Sequence, residues 1–184
     1  MNEDPTAQFR LVARGTAITF GGGLLVAFAV GRLLSAGAGL LSAPNPVLIL
    51  YPPFALFLLV AVVLSLMGYR RIGGVLSGYV SLRFYRTYDE GEEPADMRVI
   101  TRNFINLFEM PMLFYVVVLM AYVSHQVSCW IVGLAWAYVA LRYLHSGIHI
   151  TSNNVALRLA AYAGSGLILL VTWATLFVTL LREA

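Results

Sequence analysis

An arginine, an asparagine and a glutamate stand at positions 102, 106 and 109, in the stretch Arg102-Asn103-Phe104-Ile105-Asn106-Leu107-Phe108-Glu109-Met110-Pro111 that opens a long apolar run. Residues at i, i+4 and i+7 of a helix fall within about 60° of one another, so the three side chains share one face. Glu109 is the only acidic side chain within the clearly hydrophobic segments. A carboxylate at membrane depth is costly, and by default it marks a functional site whose partner must be named.

A second pattern lies in Arg142-Tyr143-Leu144-His145-Ser146-Gly147-Ile148-His149. Arg142, His145 and His149 follow i, i+3, i+7 spacing and share a helix face of their own. Asn153, Asn154 and Arg158 come next. Guanidinium groups bind carboxylates through a planar fork, and Glu109 is suited to hold an ammonium group. A small zwitterion with two carboxylates and one amine fits that inventory. Glutathione is such a molecule, and it also brings a thiol. An arginine close to a thiol favours the thiolate, which is the nucleophilic form.

Each element of this cluster has a plainer reading. Arg102 and Arg158 at helix starts also fit guanidinium groups that snorkel to lipid headgroups. Glu109 also fits an interhelical clamp to an arginine with no ligand present, and the two histidines fit interface residues satisfied by water. His145 and His149 are at i, i+4, the spacing of helical zinc ligands, with Glu109 as a third donor. Neighbouring guanidinium groups repel a metal ion, so no metal is expected.

The elements that must position these residues are membrane helices. Of 184 residues, 60% are hydrophobic and 11% charged, against roughly 25% charged in a soluble domain. The fold class expected is all-α integral membrane, a four-helix transmembrane bundle with an extra N-terminal transmembrane helix. Spans of the required length, about 20 apolar residues, are read at 47–68, 103–124, 127–147 and 159–181. A further Gly-rich run at 15–41 reads as a retained helix, with a signal peptide as the alternative. The division is then an N-terminal extension, 1–46, and a four-helix membrane domain, 47–184, with a connection at 69–101.

All twelve basic residues are arginine, and the formal charge of +3 follows the topology of a membrane chain rather than any nucleic-acid surface. Arg70, Arg71, Arg83, Arg86, Arg98 and Arg102 crowd the 69–101 connection, which puts it, with 148–158, on the cytoplasmic side. Arg102, Arg142 and Arg158 then reach one membrane level from three different helices. The acidic turn Asp89-Glu90-Gly91-Glu92-Glu93-Pro94-Ala95-Asp96 reads as a solvated loop, with a cation site as the alternative. The single cysteine, Cys129, excludes an intrachain disulfide and reads as ordinary packing.

Arg102-x3-Asn106-x2-Glu109, followed by Pro111 and an apolar run, resembles the signature of the MAPEG superfamily, the membrane-associated proteins in eicosanoid and glutathione metabolism. The resemblance covers about 47–182, and the Arg142 pattern and Arg158 in Ala-Leu-Arg-Leu-Ala fall in the family's order. It implies a four-helix bundle assembled as a homotrimer, with glutathione as co-substrate bound between neighbouring subunits near the cytoplasmic side. It also implies a lipophilic second substrate. Carried over by position, Arg102, Asn106, Glu109 and Arg142 correspond to glutathione-contacting residues, and Arg158 to the arginine beside the thiol. The chain departs from the leukotriene synthases in having His145 and His149 where those enzymes have tyrosines. It also has Met110 where an aromatic follows the glutamate, and its segment 1–46 lies outside the usual family length. The branch it resembles is bacterial, which implies the inner membrane. The expected function is a membrane glutathione transferase or peroxidase acting on lipophilic electrophiles or hydroperoxides; a non-catalytic lipid-binding or scaffold protein of the same fold is the alternative. A transporter is disfavoured, because the polar groups gather at one membrane face instead of lining a path across.

Overall fold

A computed structural model describes residues 5–37, 39–88 and 93–183. Among these the chain is helical, with α1 at Pro5–Ser35, a 3-10 turn at Pro46–Leu50, α2 at Tyr51–Leu76, a single turn α3 at Phe84–Thr87, α4 at Ala95–Val123, α5 at Cys129–Ile150 and α6 at Val155–Glu183. Local chemistry sets several of these boundaries. Asn45 caps the 3-10 turn, its side chain accepting from the Val47 N–H, and Ser128 caps α5 by accepting from Ile131. Pro94 immediately precedes α4 and Asp96 sits in its first turn. Asn154 accepts from the Leu157 N–H at the start of α6.

Two segments differ from the sequence reading. The helix in the 15–41 run begins earlier, in the polar N-terminal stretch, and stops at Ser35. Ala36 and Gly37 turn the chain there with positive φ, 45° and 91°. The connection read at 69–101 is shorter than hydropathy suggests, because α2 continues to Leu76 and α4 already starts at Ala95. What remains folds into a small satellite core of Val80, Phe84 and Met97, with Tyr85 against it. Arg71 anchors this core. Its guanidinium lies 5.2 Å from the Tyr85 ring centroid and donates to the Glu93 carboxylate at 3.2 Å and to Thr101 at 3.1 Å. Of the acidic turn, Asp89 to Glu92 lie outside the described residues. Glu93 is held by Arg71, and Asp96 pairs with Arg70 at 3.5 Å.

Among the described residues, four helical segments are long and apolar enough to cross a membrane: Thr6–Ser35, Pro46–Leu76, Ala95–Val123 and Val155–Glu183. The protein is a multi-pass integral membrane protein. α5, which carries Arg142, His145 and His149, is not among these four, yet its 22 residues span about 33 Å at 1.5 Å per residue. It is the central element, buried along most of its length, and contacts α1, α2, α4 and α6. The N-terminal helix is an integral part of the bundle, packed along both α5 and α6. It runs parallel to α6 and antiparallel to α5, through small residues. A methyl group at Gly133 would run into the Ala27 backbone, and one at Gly164 into Thr19. The Thr19 hydroxyl donates to the Ala160 carbonyl at 2.9 Å. Backbones this close gain dispersion contacts that lipid cannot supply.

These pairings put the N-terminal ends of α1, α4 and α6 beside the C-terminal ends of α2 and α5. Arg10, Arg14, Arg70, Arg71, Arg83, Arg86, Arg98, Arg102 and Arg158 therefore gather at one end of the bundle, with Arg32 and Arg182 at the other. That asymmetry is the one expected of a charge-oriented membrane protein.

Candidate functional site

At the arginine-rich end, between the first turns of α4 and α6 with the last turns of α5 behind them, lies a half-open cavity of about 350 Å³. Arg102 and Asn106 reach it from α4, His145 and His149 from α5, and Arg158 and Tyr162 from α6. Ile105, Val155 and Leu159 complete the wall. Of the residues singled out from the sequence, five therefore line one space: Arg102, Asn106, His145, His149 and Arg158.

Arg142 stands immediately behind this wall and is fully buried, with 0% exposure. Its Nη2 donates to the Asn106 carbonyl at 2.6 Å, and the guanidinium lies 5.2 Å from the Tyr162 ring centroid. The bond falls one residue before Leu107, whose carbonyl Pro111 leaves without a helical donor. Nε and Nη1 of Arg142 have no partner among the described residues. The guanidinium faces an aromatic ring and a carbonyl but forms no ion pair among the described residues, and Glu109 acts on it only from beyond pairing distance; a buried ion left without a direct counter-charge costs on the order of several kcal/mol.

Arg158 is held from several sides. Its Nη1 donates to the Asn153 side-chain oxygen and contacts His149 Nε2 at 3.3 Å. A guanidinium only donates, so His149 Nε2 is the acceptor. His145 Nδ1 lies 2.8 Å from the Arg158 carbonyl, which only accepts, so that nitrogen carries a proton and donates. The two imidazoles are edge to face, 5.6 Å apart.

Glu109 is placed differently. It is exposed on α4 and is not part of the cavity wall. Among the described residues it has no ion pair, and neither Arg142 nor Arg158 comes within pairing distance of it. The shared face of Arg102, Asn106 and Glu109 points outward from the bundle: Arg102 and Glu109 are exposed, while Asn103 and Leu107 beside them are buried.

Three residues of this region carry no signal in the two spacing patterns. Tyr162, one turn beyond Arg158, supplies the ring under Arg142, and its i+4 spacing from Arg158 was the available clue. Asn153 grips Arg158 across the α5–α6 turn. Asn103 accepts from Ser146 at 3.1 Å and so ties α4 to α5. Among the described residues, no three His, Cys, Asp or Glu side chains come together as a metal site would require.

A polytopic helical membrane protein with a cationic cavity at one end of the bundle is the class that fold and site define. The chain belongs to the MAPEG family, whose model matches residues 49–178. That match takes in α2, α4, α5 and most of α6, including every residue of the cavity, and leaves α1 outside. No curated protein and no solved structure matches the chain.

Proposed function

We propose that the protein is an integral-membrane glutathione transferase or peroxidase of a bacterial inner membrane, acting as a homotrimer. The observation that carries this reading is the buried guanidinium of Arg142, two of whose nitrogens have no hydrogen-bond partner among the described residues, behind a cavity that also holds Arg102 and Arg158. Three cations without a carboxylate in the same space call for an anionic ligand, and glutathione offers two carboxylates and a thiol. MAPEG membership supports the same co-substrate.

In this reading the carboxylates pair with the guanidinium groups and the thiol lies beside Arg158. Its S–H bond ionises, the proton leaves to solvent, and Arg158 stabilises the thiolate. Attack on a lipophilic electrophile forms a carbon–sulfur bond while the leaving group departs with its electron pair. With a hydroperoxide, sulfur attacks the terminal oxygen, the O–O bond breaks and the alcohol is released. The sulfenic acid of glutathione then condenses with a second glutathione, giving the disulfide and water. The second substrate enters from the bilayer, whose side of the cavity is lined by Ile105, Val155 and Leu159. The outward position of Arg102 and Glu109, with exposed Ile105, Phe108 and Met112 on the same helix, supports a neighbouring subunit that covers the cavity and brings a partner to Glu109.

Isothermal titration of the detergent-purified protein with glutathione tests the reading. Saturable heat and a rise in unfolding temperature at millimolar ligand are expected. Absence of both would sink it.

A further inference from the structure

His145 and His149 mark the departure of this chain from the tyrosines of the family resemblance, and in the fold both act on one residue, Arg158. The guanidinium has five N–H donors. Nη1 directs its two toward His149 Nε2 and the Asn153 side-chain oxygen. Nε and Nη2 make no bond to protein among the described residues, and the side chain lines the cavity while half-buried. His145 meanwhile fixes the backbone of the same residue by donating to its carbonyl.

We propose that His149 and Asn153 are positioning residues that grip the Arg158 guanidinium by a single nitrogen, with His145 holding its backbone, so that the other N–H groups stay presented to a thiolate in the cavity. The inference rests on the glutathione reading for the identity of that anion, but not for the grip itself.

The supporting parts are themselves well anchored. His149 and His145 are each 2% exposed, on the last two turns of the central helix. Asn153 sits in the short turn between α5 and α6 with φ 47°, a conformation asparagine tolerates better than most residues. Its N–H donates to the Ile148 carbonyl at 2.8 Å, which locks the turn and with it the side chain. A long arginine side chain loses up to about 2 kcal/mol of rotamer freedom when fixed. Fixing it in advance means that this cost is not charged to the thiolate. His149 suits the grip because the neutral imidazole offers a lone pair to a cation, whereas a tyrosine hydroxyl also brings a competing proton.

The test compares His149→Leu, His149→Gln and Asn153→Ala with the unaltered protein in detergent, with unfolding temperature as a check on folding. The first readout needs no glutathione: the rate at which phenylglyoxal modifies Arg158, followed by peptide mass spectrometry. It should rise severalfold in His149→Leu and Asn153→Ala, and stay near the unaltered rate in His149→Gln, whose amide oxygen also accepts. The second readout is the thiolate absorbance of bound glutathione against pH. In His149→Leu the thiol should titrate about one unit higher, a tenfold loss of thiolate at a given pH, with the dissociation constant nearly unchanged; His149→Gln should restore it. If folded His149→Leu matches the unaltered protein in labelling rate, the grip is refuted. If labelling changes but the thiol titration does not, the positioning role is refuted. If the unaltered protein binds no glutathione, the glutathione reading fails, and the labelling rates alone decide the grip.

Discussion

Two interhelical contacts of this molecule are built in opposite ways. Along the seam of α1 with α5 and α6, glycines face backbone and small side chains, as at Gly133 against Ala27 and Gly164 against Thr19, and a side-chain hydroxyl bonds directly to the neighbouring helix. Along the cleft between α4 and α6, contact is sparse, with Met110 reaching across to Gly166. At the arginine-rich end the cleft opens into the cavity. The seam closes because small residues let backbones meet, and dispersion then favours protein over lipid. The mouth of the cleft carries the guanidinium groups of Arg102 and Arg158, like charges that oppose a tight fit. α1 adds packing to one side of the central helix, while the family-matched helices shape the site on the other.

The contrast can be broken most severely at the seam. Gly133→Leu forces a branched side chain into the Ala27 backbone and should destabilise the protein by about 3 kcal/mol or more; loss of a cooperative unfolding transition in detergent, or a large drop in its midpoint, checks it. A normal midpoint would show that α1 is not packed as described.

At the cleft the prediction changes sign. Arg142→Met replaces a buried cation that has no ion pair among the described residues with an apolar chain of similar length. Without ligand it should unfold no lower than the unaltered protein, in line with the neutral or stabilising outcome of removing buried charges. Glutathione binding should weaken by about 2 kcal/mol, the worth of hydrogen bonds to a charged group. Calorimetry with and without ligand separates the two effects.

Arg158→Ala should leave the unfolding midpoint nearly unchanged while raising the thiol pKa of bound glutathione by about one unit, or about 1.4 kcal/mol. An unchanged thiol titration would clear Arg158 of the catalytic role. The smallest effect returns to the seam: Thr19→Val removes the bond to the Ala160 carbonyl at nearly constant shape. It should cost about 0.6 kcal/mol, the average for such bonds between membrane helices, read as a small midpoint shift.

Much of the helix plan was legible, because hydropathy over about 20 residues is set by the bilayer. Pro94 and Asp96 mark the start of α4. The extent of α2 and α4 beyond their apolar stretches was not legible, because Arg70, Arg71 and Arg98 are compatible with helix while lowering hydropathy. Nor was the Arg71–Glu93–Thr101 hub that ends them, which joins residues 22 and 30 positions apart. In the site, the spacing patterns on α4 and α5, together with Arg158, named five residues that line one cavity, Arg102, Asn106, His145, His149 and Arg158, and one, Glu109, that stands outside it. They did not show Tyr162 or the grip of Asn153 on Arg158, which depend on how the α5–α6 turn brings Arg158 back against His149.

The sequence by itself determined that the chain lives in a membrane, that its arginines orient it, and that Arg102, Asn106, Arg142, His145, His149 and Arg158 belong to one end of the bundle. Helical periodicity and the cost of burying charge are local rules, readable from spacing alone. The tertiary structure decided the pairings: that Arg142 turns to the Asn106 carbonyl and not to Glu109, that Glu109 faces outward, and that both histidines act on Arg158. A hydrogen bond depends on angstrom-scale placement of side chains from separate helices, and only the packing of those helices fixes it.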